Sequence, residues 1–204
     1  FPPNQLYKIH PYIGGQLDVD ALKSKKWQRR KAKAIKNIED FSAKLLRLQA
    51  SRKDNAIAPI HLPNEYEEFV EQFPFSETRD QTNIMEAIIN DLSQSMLFDR
   101  LVCGDVGFGK TEIAMRSAFI ALMNGYQVAI IAPTTVLATQ HYNNFKARMA
   151  QWDINIGLLS RSNKQADQDQ KKVANGDIQL AIGTHKLLSQ PFSNLALVII
   201  DEEH

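Results

Sequence analysis

From Thr78 onward the chain alternates short aliphatic runs with stretches of helix-forming residues, and this alternation restricts the possible folds more than any other feature. The runs are "RLVCG", "QVAIIAP", "INIGLLS", "IQLAIGT" and "LALVIID". The helical stretch "TRDQTNIMEAIINDLSQ" precedes the first run. "TEIAMRSAFIALMN", stopped by Gly125, then "TVLATQHYNNFKARMAQ" and a polar helix over 163–174 lie between later ones. Aliphatic runs separated by helices predict an α/β domain whose parallel sheet is buried on both faces. Such sheets bind ligands beyond the carboxyl ends of their strands. The residues that follow each run are therefore the candidates for chemistry.

The first run leads into "GDVGFGKT", which fits G-x-x-x-x-G-K-[ST] at Gly104, Gly109, Lys110 and Thr111. Glycines let the backbone curl until successive N–H groups point inward at phosphate oxygens. The helix that follows adds its positive end. Lys110 is expected to neutralise the β- and γ-phosphates and Thr111 to hold Mg²⁺. The whole loop, Gly104, Asp105, Val106, Gly107, Phe108, Gly109, Lys110 and Thr111, is the expected nucleotide cradle. By chance the pattern arises in about one 200-residue chain per hundred. The strand before it and the helix after it make a mere glycine-rich turn a poor account.

The last run ends in "DEEH". Alone, these charges read equally well as a solvated acidic tail. Paired with a phosphate loop in one sheet, Asp201 becomes the acid that holds Mg²⁺ and Glu202 the group that polarises the attacking water. Lys110 and Glu202 are thus the candidate catalytic residues, with Thr111 and Asp201 for the metal. Glu203 and His204 are expected to face away, towards a coupling surface. A strand delivering its metal acid at the chain's end predicts that the sequence stops inside a larger motor.

Other segments fit around this core. "FPFSETRDQ" places Gln81 at the entry of the first helix, where an amide can pair with an adenine edge, and Phe75 or Phe73 can stack on the base. "APTTVLATQH" puts Thr134 and Thr135 at a helix start, with Gln140 further along. "IGTHKLL" offers Gly183, Thr184, His185 and Lys186, and "LLSRSNK" offers Arg161 more weakly. Hydroxyls and N–H groups at helix starts suit nucleic-acid phosphates, and they suit ordinary capping equally. His141 and His185 lack metal-ligand spacing with any cysteine, so a zinc site is not expected.

Charge divides the chain. Between Lys23 and Lys53 there are twelve Lys or Arg against Glu39 and Asp40, a net +10, while the chain as a whole carries +1. The basic stretch lacks Gly and Pro, and Trp27, Ala34, Ile38, Phe41, Leu45 and Leu48 fall on one helical face. It predicts a long basic amphipathic helix, capped by Asp18 or Asp20. Its basic back suits solvent, or alternatively a nucleic-acid backbone or acidic partner. "NAIAPIHLPNEYEEFVEQFPF" reads as a connector with a short acidic helix near 65–72. A single cysteine, Cys103, fits a reducing compartment. No apolar run approaches a membrane span, so a cytosolic protein is expected.

"GDVGFGKT", "APTTVLATQH", "IGTHKLL" and "DEEH", in that order, resemble motifs I, Ia, Ib and II of the superfamily 2 helicases and translocases. "FPFSETRDQ", "DRLVCGDVGFGKTEIAMRSAF", "PTTVLATQHYNNF" and "IGTHKLL" closely resemble the bacterial transcription-repair coupling factor family, over most of residues 60–204. "LYKIHPYIGG" and the basic helix are similar to the end of that family's RNA-polymerase-interacting domain and the helix that follows. The resemblance implies residues 1–17 as the tail of that domain, 18–56 as the linking helix, and 57–204 as a RecA-like P-loop lobe. It implies an ATP- and Mg²⁺-dependent translocase on double-stranded DNA that displaces stalled RNA polymerase and recruits excision-repair proteins. It also implies a second lobe carrying an arginine finger, without which this chain alone hydrolyses ATP negligibly. Two rivals remain: a branched-DNA remodelling helicase of the same superfamily, and a non-enzymatic DNA- or polymerase-binding module.

Overall fold

The computed structural model describes residues 24–54, 58–105, 107–160 and 166–202. The expected tail over 1–17, its neighbours Asp18 and Asp20, and Val106, Arg161, Glu203 and His204 lie outside these. Packing divides the chain into two compact units, Phe1–Ser51 and Arg52–His204.

Helix α1, Lys25–Asp54, about 45 Å of helix at 1.5 Å per residue, lies in the first unit up to Ser51. Among the described residues Ser24 stands at its start, where the Ser24 hydroxyl accepts from Trp27 N–H at 3.1 Å. Trp27, Ile38, Phe41, Leu45 and Leu48, members of the expected apolar face, are exposed.

The second unit is the α/β domain. Its elements are α2 (Tyr66–Glu71), α3 (Arg79–Leu92), α4 (Lys110–Met123), β1 (Gln127–Ile131), α5 (Thr135–Arg148), β2 (Ile156–Leu159), α6 (Ala166–Asn175), β3 (Leu180–Gly183), a 3-10 turn (His185–Ser189) and β4 (Leu195–Ile200). The four strands pair in parallel in the order β2-β3-β1-β4. The central strands β1 and β3 are buried throughout, as unbroken aliphatic strands covered on both faces must be. Val128 and Ile130 of β1 face one core with α4, α5 and the outer helices α2 and α3. Ala129 and Ile131 face a smaller core with Val173 of α6 and Leu187.

Helix α4 is apolar almost all round, and every residue from Met115 to Leu122 is buried, as a helix with no solvent face must be. It packs on β1 and β4 on one side and on α2 and α3 on the other. Phe119 stacks on Phe69 of α2 with ring centroids 4.1 Å apart, and Trp152 meets Phe119 edge-on at 4.9 Å. Helix α3 starts in a reciprocal capping box, Thr78 hydroxyl with Gln81 N–H and Gln81 side chain with Thr78 N–H.

One expected strand is absent. "RLVCG" forms no ladder with its neighbours. Only Val102 turns partly into the core, while Leu101 is 77% exposed and Cys103 is exposed. A strand exists by pairing with a neighbour, and this segment pairs with none of the four strands, although β4 leaves one edge of the sheet open. The phosphate-loop segment thus enters α4 without a paired strand before it.

Candidate nucleotide and DNA site

A turn over Asn124–Tyr126 reverses the chain between α4 and β1, with Gly125 at φ +80°. The start of α4 therefore lies at the carboxyl end of the sheet, the end at which β4 delivers Asp201. Gly107 and Gly109 both take positive φ, +87° and +77°, so the loop needs residues free of the Cβ penalty there. Helix α4 begins on Gly109 with no side-chain cap. Helices α3 and α5, by contrast, are capped by the hydroxyls of Thr78 and Thr134. A long helix whose first turn no side chain caps leaves N–H donors for an anion.

Lys110 folds back over the loop. Its ammonium donates to the carbonyl of Gly104 and, at 2.9 Å, to that of Asp105. The cation thus sits on carbonyl oxygens of the loop itself, within reach of any acceptor the loop encloses. Thr111 is exposed in the first turn. This donor set suits the phosphates of a nucleotide and its metal: bare helix N–H groups, an ammonium and a hydroxyl.

Gln81 reaches the loop from α3. Its Nε2 donates to the Phe108 carbonyl at 2.9 Å, and its Oε1 accepts from Thr78 N–H at 2.9 Å. Each amide atom keeps one further hydrogen or lone pair. Phe75 is 71% exposed. Phe73, the other stacking candidate, is held at 5.4 Å edge-on by Phe75 and under the Arg116 guanidinium at 5.5 Å.

Asp201 is held twice. Its N–H donates to the carbonyl of Ile131, the last residue of β1, at 2.9 Å. Its Oδ2 meets His141 Nε2 at 2.6 Å. Glu202 is exposed at φ +52°, a left-handed conformation uncommon outside glycine.

The two candidate DNA segments leave neighbouring strands. Ala132 N–H, after β1, donates to Gly183 O at the end of β3 at 2.9 Å, so Thr134–Thr135 and Thr184–Lys186 emerge side by side. Thr134 hydroxyl accepts from Leu137 N–H at 3.2 Å, which is capping. Thr184 makes no such bond. His185 and Lys186 are exposed. Gly183 is buried, and a Cβ there would lie 2.6 Å from the Leu159 carbonyl, so close strand packing already requires its glycine. Gln140 is exposed on α5, where Thr135, Val136, Thr139, Gln140, Asn143 and Asn144 line a shallow groove. Thr139, Asn143 and Asn144 escaped the sequence reading. Their steps of four from Thr135 and of three and four from Gln140 were the available signal.

A buried ionic cluster was also not foreseen. Arg116 of α4, 2% exposed, pairs with Glu112 at 2.9 Å and with Glu77 at 2.8 Å. Arg148 of α5 joins Glu112 at 3.1 Å and covers the Phe69 ring at 4.0 Å. Burial pulls the Arg116 guanidinium down, but its bonds to Glu112 and Glu77 outweigh this and hold it above the ordinary arginine value.

A family model described as "DEAD/DEAH box helicase" matches residues 78–204. The chain is 43% identical over its full length to the transcription-repair-coupling factor of Escherichia coli (strain K12), and 41% identical over 99% of its length to that of Bacillus subtilis (strain 168). It spans 18% of each of these relatives. A solved structure of RecG bound to a three-way DNA junction superposes on 78% of the chain with a TM-score of 0.72, at 32% identity, and the match covers 22% of that chain. No helix among the described residues is long and apolar enough to cross a membrane.

Proposed function

The chain belongs to the DEAD/DEAH box helicase family, and we propose that its second unit is the nucleotide-binding lobe of an ATP-driven motor on double-stranded DNA. The observation that carries this is the start of α4: a positive-φ glycine, no side-chain cap, and an ammonium lying over the loop carbonyls. In this proposal the loop of residues 104–111 cradles the phosphates, Lys110 carries the compensating charge, and Thr111 and Asp201 hold Mg²⁺. Bound Mg²⁺ would supply charge neutralisation for the phosphates. Glu202 orients and polarises water. Gln81 offers its remaining N–H and lone pair to the N6/N7 edge of adenine, the pairing a glutamine amide suits, and Phe75 covers the base.

Thr134, Thr135, Gln140, Thr184, His185 and Lys186 lie along the backbone of the duplex. They suit phosphates better than base edges, so binding should be steeply salt-dependent and indifferent to sequence. The full-length parent is a translocase that acts on stalled RNA polymerase in transcription-coupled repair, with RNA polymerase and excision-repair proteins as partners and the cytoplasm as its place. The higher identity to transcription-repair-coupling factors, over the whole chain, supports that choice. The likeness to RecG favours a second reading, a branched-DNA remodelling motor.

The test is ATP turnover by the full-length protein with and without linear duplex, and with a three-way junction. Stimulation by linear duplex of any sequence is expected. Stimulation by the junction alone would favour the second reading, and no stimulation by either would sink the motor assignment. The chain by itself should turn over negligibly, because an arginine finger from a second lobe is worth about 10³–10⁵ in rate.

A further inference from the structure

His141 sits on the inner face of α5 with Ala138 and Phe145, and like them it is buried. A buried histidine normally satisfies both ring nitrogens. Here Nε2 meets Asp201 Oδ2 at 2.6 Å, while Nδ1 is buried with no hydrogen-bond partner. An ionised carboxylate only accepts, so the shared proton belongs to Nε2. The ring is then fixed by one polar contact, together with an edge-on contact to Phe145 at 6.5 Å. Packing alone would be served as well by an apolar side chain. What the imidazole adds is the grip on Asp201, whose side chain remains about one-third exposed.

The contact also closes a circuit. Strand β1 ends at Ile131, whose carbonyl holds the Asp201 N–H. The same strand runs on through Ala132 and Pro133 into α5, and α5 returns His141 to the Asp201 carboxylate. Exposed Gln140 is the residue next to His141, and the groove lined by Thr135, Thr139 and Asn143 runs along the same helix. One helix thus carries the candidate DNA face on its outside and the clamp on the metal acid on its inside.

We propose that His141 is a positioning residue that holds the Asp201 carboxylate for the metal and transmits the placement of α5 on DNA to the nucleotide site. The proposal rests on the nucleotide and DNA assignments made above. Hydrogen-bond partners of metal-site ligands are typically worth about 10–100-fold in metal affinity. Coupling between sites is reciprocal, so DNA and Mg²⁺–nucleotide should each alter the affinity of the other by the same factor.

The experiment measures the affinity of a non-hydrolysable ATP analogue by calorimetry, with and without Mg²⁺, and with and without a short duplex. It uses wild type, His141→Leu, His141→Asn and His141→Gln. Leu keeps bulk without a donor, Asn is too short to reach Asp201, and Gln can place an N–H near the position of Nε2. Metal-free affinity should be the same in all four, which also reports an intact fold where burial makes His141→Leu risky. The gain on adding Mg²⁺ should fall about 10–100-fold in the Leu and Asn variants and recover in the Gln variant, and the effect of duplex should fall with it. A full Mg²⁺ gain in His141→Asn would overturn the positioning role. A lost Mg²⁺ gain with an unaltered duplex effect would overturn the transmission. Absence of nucleotide binding in wild type would instead reject the nucleotide assignment, and this proposal with it.

Discussion

Gln81 Nε2 donates to the carbonyl of Phe108 at 2.9 Å, tying the start of α3 to the phosphate loop. The adjacent Gly109 is at φ +77°, and a Cβ there would fall 2.3 Å from that same nitrogen. The base-recognition candidate and the loop are therefore one mechanical unit: the loop cannot change shape without moving Gln81.

Gln81→Ala should weaken ATP binding more than GTP binding, and so narrow the preference for ATP. Competition binding with both nucleotides reads this directly. An unchanged ratio would mean that Gln81 serves only the capping box and the loop.

The buried cluster around Arg116 joins the same parts from beneath, since Glu77 precedes α3 while Glu112 and Arg116 lie on α4. Arg116→Met strands the buried Glu112 and the half-buried Glu77. Breaking such a pair costs about 3–5 kcal/mol, towards the lower figure here because Arg148 still meets Glu112. The denaturant midpoint should fall accordingly. A loss below about 1 kcal/mol, the range of surface pairs, would show that the cluster is wetter than its burial indicates.

Tyr66 packs beside this cluster. Burial raises its hydroxyl above the ordinary 10.0, with the Arg116 charge offsetting part of the rise. The folded protein thus keeps this proton where the unfolded chain releases it. The resulting stability is fully present below pH of about 10 and is lost as pH climbs through the raised folded value. Tyr66→Phe should flatten the alkaline limb of a stability–pH curve relative to wild type. Parallel limbs would contradict the assignment.

The sheet was legible because its central strands are aliphatic throughout, and the helices because their caps and apolar spacings are local. Thr78 with Gln81, and Thr134 at the start of α5, are examples. "RLVCG" misled because its composition is that of a strand, while strandhood depends on a neighbouring edge that composition does not carry. The candidate site was legible as a set of loops, not as a set of contacts. The sequence marks His141 only as a rejected zinc ligand, because nothing local links it to Asp201, 60 positions further on. The Arg116 cluster was hidden for the same reason: its members span α4, α5 and the approach to α3, and only the fold brings them together.

The central claim is that residues 104–111 bind nucleotide, with Lys110 carrying the charge. Titration of Mg²⁺–ATP into wild type and Lys110→Ala, followed by calorimetry and checked by circular dichroism for an unchanged fold, tests it most directly. A hydrogen bond to a charged group is worth about 1.5–3 kcal/mol, so affinity should fall at least about tenfold and the heat should vanish at ordinary concentrations. Equal affinity in the two proteins would contradict the account.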